Sequence, residues 1–184
     1  VKVSVYERTP VCGAGKIIKR GKGTMRKVKV QKLTAEAFRP YGEFFSITDP
    51  KGFALGSFYA DRVSFPAAGD VPLGFSSLNS DKPEKMIVNM AEYHNKSCEG
   101  VLCLNDDVVV HVAPPSKEPV PEKTEAFLVP KGTFVKLNIG VWHLAALPVN
   151  KKTARILIVL PERTYLTDCI VVEYDEKDHM ELVL

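Results

Sequence analysis

The sequence has no cysteine pair at C-x2-C spacing, no apolar stretch approaching 18 residues, and no large excess of either charge. Each absence removes a class of protein. The four cysteines (Cys12, Cys98, Cys103, Cys169) are scattered, which excludes a zinc knuckle or a thioredoxin-like motif. They read as free thiols packed as small apolar groups in a reducing compartment. Without a long apolar stretch or a signal-peptide pattern, the chain reads as soluble and cytoplasmic, with no membrane partner. A net charge of +3 is too small to argue for nucleic acid, and it is unevenly spread. Residues 1–24 hold six Lys/Arg and one acid, net +5, which leaves 19 basic and 21 acidic residues, net −2, for the remainder. No internal repeat or low-complexity tract is visible. Tryptophan occurs once and histidine four times, so the neighbours of each can be weighed individually.

With 184 residues, 45% of them hydrophobic, the chain can fill one core without staples. Residues 1–24 open with an alternating segment, VKVSVYE, and run into CGAGKIIKRGKGT, whose glycines match no phosphate-binding loop. This basic segment reads as an extension or a translation-start artefact, with a single domain over 25–184.

Beyond Met25 the apolar pattern has a period of two. RKVKVQKL reads as a half-buried strand with Val28 and Val30 on one face. Thr34 is placed to cap one short helix, Ala35 to Phe38, closed by Pro40 and Gly42. Strand-like runs follow at EFFSI, FALGSFYADRVSF, 73–78, 85–94, 100–104, 108–112, 126–129, 133–138, 142–145, 154–160 and 169–174. Pro66 to Pro72 and the Pro-rich span from Ala113 to Pro121 read as loops. Many short strands with turn signals every 8 to 12 residues predict an antiparallel sandwich or barrel.

Two stretches carry the candidate chemistry. In GTFVKLNIGVWHLAALPVN, residues 132–150, Gly140 permits a tight bend and the strand that follows carries Trp142 and His143 into whatever the sheet encloses. In EYHNKSCEG, Glu92 and His94 alternate along a strand and so share a face, and Glu99 returns after a bend. Two imidazoles with one or two carboxylates can hold a divalent metal through His94, Glu92, Glu99 and His143, with Mn, Fe, Ni and Zn all compatible. The same groups can equally act as general acid and base with no metal. His111 interrupts VVVHVA and reads as a core histidine as readily as a functional one, whereas His179, in DEKDHMEL, reads as solvated. Tyr59, Arg62, Lys85 and Trp142 are candidates for binding an anionic small molecule.

The first stretch resembles the second motif of the cupins, G-x5-P-x-G-x2-H-x3-N, with Asn138 in place of the proline and Leu147 in place of the asparagine. The second resembles their first motif, with Glu92 where the first histidine stands. The resemblance implies a mainly β fold, a cupin-like antiparallel β-barrel or double-sheet jelly roll, here with one short N-terminal helix. Leu33-Thr34-Ala35-Glu36-Ala37-Phe38-Arg39-Pro40-Tyr41-Gly42, Thr124-Glu125-Ala126-Phe127 and Val141-Trp142-His143 together resemble the ureidoglycolate lyase (ureidoglycolate hydrolase) family. This implies a carbon–nitrogen lyase that eliminates urea from ureidoglycolate to leave glyoxylate, late in allantoin breakdown, commonly as a homodimer. His143 and Glu99 would then carry the proton transfers, and His94 would position the hydroxyl or a metal. Leu137 and Leu144 stand where several members of the family have histidines. Two alternatives stay open: a cupin enzyme acting on another small hydroxy or oxo acid, and a non-catalytic barrel that binds small acids.

Overall fold

Alternation begins the described chain. In β1 (Arg26–Lys32) Val28 is buried and Val30 half-buried, while Lys27 and Lys29 face solvent, as a strand wet on one side requires. The computed structural model describes residues 25–66 and 70–184, and the basic segment 1–24 lies outside the described residues. Thr34 caps α1 (Ala35–Phe38) by accepting the Ala37 N–H. Phe38 is fully buried in edge-on contact with Phe44 and Phe127. A ring buried this way contributes about 1.5–3 kcal/mol, so packing holds a helix too short to form alone.

The strands that follow are β2 (Gly42–Ser46), β3 (Leu73–Asp81), β4 (Ile87–Val88), β5 (Met90–Tyr93), β6 (Glu99–Cys103), β7 (Val108–Ala113), β8 (Glu125–Val129) and β9 (Thr133–Leu137). After them come β10 (Trp142–His143), β11 (Leu147–Pro148), β12 (Thr153–Pro161), a short helix α2 (Thr164–Thr167), β13 (Ile170–Glu173) and β14 (Met180–Val183). A nine-stranded sheet runs β13-β5-β10-β7-β8-β1-β14-β4, with β11 also on β7, and a five-stranded sheet runs β2-β9-β6-β12-β3. Pairing is antiparallel except at β1, which lies parallel to both β8 and β14.

The double-sheet, mainly β architecture is the one the short alternating runs predict. Val108, Val110 and Val112 of the large sheet pack with Val101, Val135 and Ile156 of the small one in a core between the sheets. Val109 and Ala113, on the opposite face of β7, join Val28, Trp142 and Met180 in a second core built mainly from the large sheet, which curls over itself. One strand thus serves two cores, which accounts for the complete burial of β7.

Three expectations are corrected. FALGSFYADRVSF forms no strand beyond a single bridge between Leu55 and Phe58. Gly56 (φ 65°) and Asp61 (φ 50°) are left-handed, which breaks the extended path, and Phe53, Leu55 and Phe58 stay exposed. A second helix, α2, accompanies the expected one; it starts from left-handed Arg163 without a side-chain cap, so it left no capping signal to read. The acidic tail closes as β14, with Met180 and Leu182 buried, and His179 is half-buried and bonded to the Tyr174 carbonyl.

Candidate active site

Three strand ends converge. Glu92 lies on β5 and His94 directly after it, Glu99 opens β6, and His143 ends β10, paired in register with Glu92. The turn at left-handed Gly140 does more than reverse the chain, because its N–H donates to the His94 carbonyl at 2.8 Å and ties the two motif stretches together.

His94, Glu99 and His143 are all buried, and their donor atoms lie within 4.8 Å of one another. His94 Nδ1–H donates to the Asp168 carbonyl at 2.6 Å, and His143 Nδ1–H donates to the Val141 carbonyl at 2.8 Å. Both Nε2 atoms therefore turn inward, and both meet the same oxygen, Glu99 Oε2, at 3.0 and 3.2 Å. A lone pair facing a carboxylate repels it, so each contact needs a proton, or one divalent cation must replace both protons. Burial opposes charging His143, but Glu99 beside it outweighs that cost and raises its pKa to about 9. Burial likewise opposes ionising Glu99, and the imidazoles overcome it, holding the carboxylate down at about 2. Two nitrogens and one oxygen, each imidazole fixed by a carbonyl behind it, fit a divalent metal as well as a proton pair.

The trio opens onto a cavity of about 210 Å³ lined by His94, Glu99 and Glu92. His143 is not among the lining residues and is joined to them by its contact with Glu99. Glu92 is half-buried and its carboxylate accepts the Cys169 S–H; burial, and then this contact, pushes the thiol up to about 12. Glu92 faces the cavity without joining the buried trio. Hydroxyls come from Ser76, Ser77 and Tyr165, apolar wall from Leu137 and Leu144 among others, and no described Lys or Arg lines the cavity.

The other sequence candidates lie elsewhere. Trp142 is packed against Tyr93 at 4.4 Å, and its indole N–H donates to Ser116. Lys85 and Tyr59 are exposed, and Arg62 lines a separate groove beside Arg39 and Glu43. His111 is buried with neither ring nitrogen bonded among the described residues. Burial, then the nearby His143, pushes its pKa down to about 4. Asp168, Cys169 and Tyr165 escaped the sequence reading. The Asp168 contact to His94 is made by a backbone carbonyl, which no residue type announces.

Among the described residues no helix is long and apolar enough to cross a membrane. The chain is similar to the ureidoglycolate lyase of Pseudomonas aeruginosa strain LESB58, 27% identical over 137 residues, covering 70% of this chain and 80% of that protein. It is similar also to the ureidoglycolate lyase of Pseudomonas savastanoi pv. phaseolicola, 26% identical over 135 residues, covering 70% and 79%. A solved dTDP-6-deoxy-D-glucose-3,5-epimerase from Legionella pneumophila aligns with a TM-score of 0.43 at 14% identity, over 74% of this chain and 72% of that one. The ureidoglycolate lyase family model matches residues 25–181, and the chain belongs to that family.

Proposed function

We propose that this member of the ureidoglycolate lyase family eliminates urea from ureidoglycolate and leaves glyoxylate. The observation that carries the reading is the buried His94–Glu99–His143 trio, open through His94 and Glu99 onto a cavity of small-molecule size. With it go a catalytic domain over 25–184, a homodimeric assembly and a cytoplasmic place late in allantoin breakdown.

The substrate bears a hydroxyl, a carboxylate and a urea nitrogen on one carbon. Elimination removes the hydroxyl proton, forms the C=O bond and breaks the C–N bond; the departing electron pair is captured by a proton on nitrogen. Glu99 is a weak base because two imidazoles stabilise its charge. Glu92, the other carboxylate facing the cavity, is assigned as the base. His94, which lines the cavity and holds Nε2 beside Glu99, is assigned as the acid that protonates urea nitrogen. One proton is taken and one given, so a transfer from Glu92 to His94 after product release resets the site. His143 contacts Glu99 and is not among the residues lining the cavity, and in this reading it holds that carboxylate ionised without touching substrate.

A second reading is favoured by the charge of the cavity, which has two carboxylates and no described Lys or Arg to meet the substrate carboxylate. A divalent ion (Mn, Fe, Ni or Zn) held by His94, Glu99 and His143 would supply that counter-charge and polarise the hydroxyl. Urea release from racemic ureidoglycolate, measured with and without a chelator, tests both. Release that survives chelation supports the proton-pair form, and release restored only by added metal supports the metal form. Binding without urea would replace the lyase with a small-acid-binding barrel, and turnover of another hydroxy or oxo acid alone would change the substrate.

A further inference from the structure

We propose that Asp168 is a positioning residue for His94, fixing which imidazole nitrogen faces Glu99. Asp168 stands 74 positions from His94 in sequence, at the end of α2, where its N–H is bonded to the Thr164 carbonyl at 2.8 Å. Its side chain is buried and both carboxylate oxygens are used: Oδ1 accepts the Asn95 N–H at 2.9 Å and Oδ2 the Lys96 N–H at 2.7 Å. Its carbonyl accepts His94 Nδ1–H at 2.6 Å. One residue therefore grips the histidine by its ring and by the two amides that follow it.

The neighbours continue the match. Cys169 donates its S–H to Glu92 at 3.1 Å, and Ile170 pairs in register with Tyr93 as β13 begins. Asp168, Cys169 and Ile170 thus engage His94, Glu92 and Tyr93, running antiparallel to the site strand. A buried imidazole has two ring orientations related by a flip, and only the one that puts Nδ1–H on the carbonyl directs Nε2 at Glu99. Asn95 and Lys96 are exposed, so without the carboxylate their amides would turn to water and the anchor beneath His94 would loosen. His143 is the internal control, because its Nδ1–H is held by Val141 and owes nothing to Asp168.

For the rate, the inference rests on the lyase reading above; for the ring orientation it does not. The test compares the full chain with Asp168→Ala and Asp168→Asn, following imidazole N–H signals in histidine-15N-labelled protein beside urea-release kcat and KM. Expected in Asp168→Ala is loss of the His94 Nδ1–H signal with that of His143 retained, and a fall in kcat of about 10- to 100-fold with KM little changed. Asp168→Asn, which keeps one acceptor oxygen, recovers part of both. A folded Asp168→Ala that retains the His94 signal and wild-type kcat overturns the proposal. Simultaneous loss of both histidine signals overturns it too, because it marks general loosening. If the alanine variant does not fold, the asparagine variant decides: a weakened His94 signal supports the assignment, and a full one with unchanged kcat sinks it. If the wild type releases no urea, the lyase reading fails while the ring signals still judge Asp168.

Discussion

The imidazoles of His94 and His143 stand with ring centroids 5.3 Å apart, and both direct Nε2 at one oxygen of Glu99. The carboxylate between them is what makes the two rings one unit. Glu99→Gln removes its charge and leaves buried imidazoles competing for a neutral amide. Breaking a buried ion pair on one side costs about 3–5 kcal/mol, so the denaturation midpoint should fall clearly and urea release should be lost. A variant with wild-type stability would show that the trio is not held together by charge.

The same pairing sets the dependence of stability on pH. Folded Glu99 titrates near 2 against 4.5 for its ordinary value, so its contribution is complete above pH 4.5 and drains as pH falls toward 2. Folded His143 titrates near 9 against 6.5, so its contribution is complete below pH 6.5 and is lost as pH rises through 9. His111, held near 4, cannot take the proton that the unfolded chain takes, so stability also declines from pH 6.5 to 4. Denaturation midpoints should therefore peak close to pH 6.5 and fall on both sides. His143→Gln should flatten the alkaline limb; an unchanged alkaline limb in that variant contradicts the assignment.

Glu92 faces the cavity yet is only half-buried, so its role should be separable from the fold. Glu92→Gln keeps the shape and the acceptor for Cys169 but removes the basic oxygen. Urea release should fall by about 10²–10⁴-fold, as loss of a general base does, while the melting temperature moves little. Retained turnover would return the base role to Glu99.

His111 offers a test of packing rather than chemistry. Its two ring nitrogens have no partner among the described residues, and an unmet buried polar group costs about 1–3 kcal/mol. His111→Leu should match or exceed the wild type in denaturant midpoint and lose part of the decline between pH 6.5 and 4. A loss of stability in thermal melts at neutral pH would reveal a polar partner for His111.

Much of the fold was legible because strand alternation is local. Val28 and Val30 declare themselves by spacing, the Val-rich run from Val108 to Val112 by its β-branched composition, and Thr34 declares a helix by its hydroxyl and position. Where local signals conflicted, the reading failed: FALGSFYADRVSF has β-favouring residues, but its left-handed positions leave it irregular. His179, in the acidic run DEKDHMEL, reads as solvated, yet β1 offers the residues after it a parallel edge and a core for Met180.

The candidate site divides along the same line. Residue types at spacings that resemble the cupin motifs single out Glu92, His94, Glu99 and His143, because a histidine after a glycine bend and an acid two residues before another histidine are short-range patterns. Only the tertiary structure decided that His94 and His143 meet one oxygen of Glu99, that Glu92 faces the cavity outside the trio, and that the Asp168 carbonyl accepts from the ring of His94. Those relations depend on distance and direction between strands far apart in the chain. A hydrogen bond to a backbone carbonyl leaves no mark on the residue that supplies it.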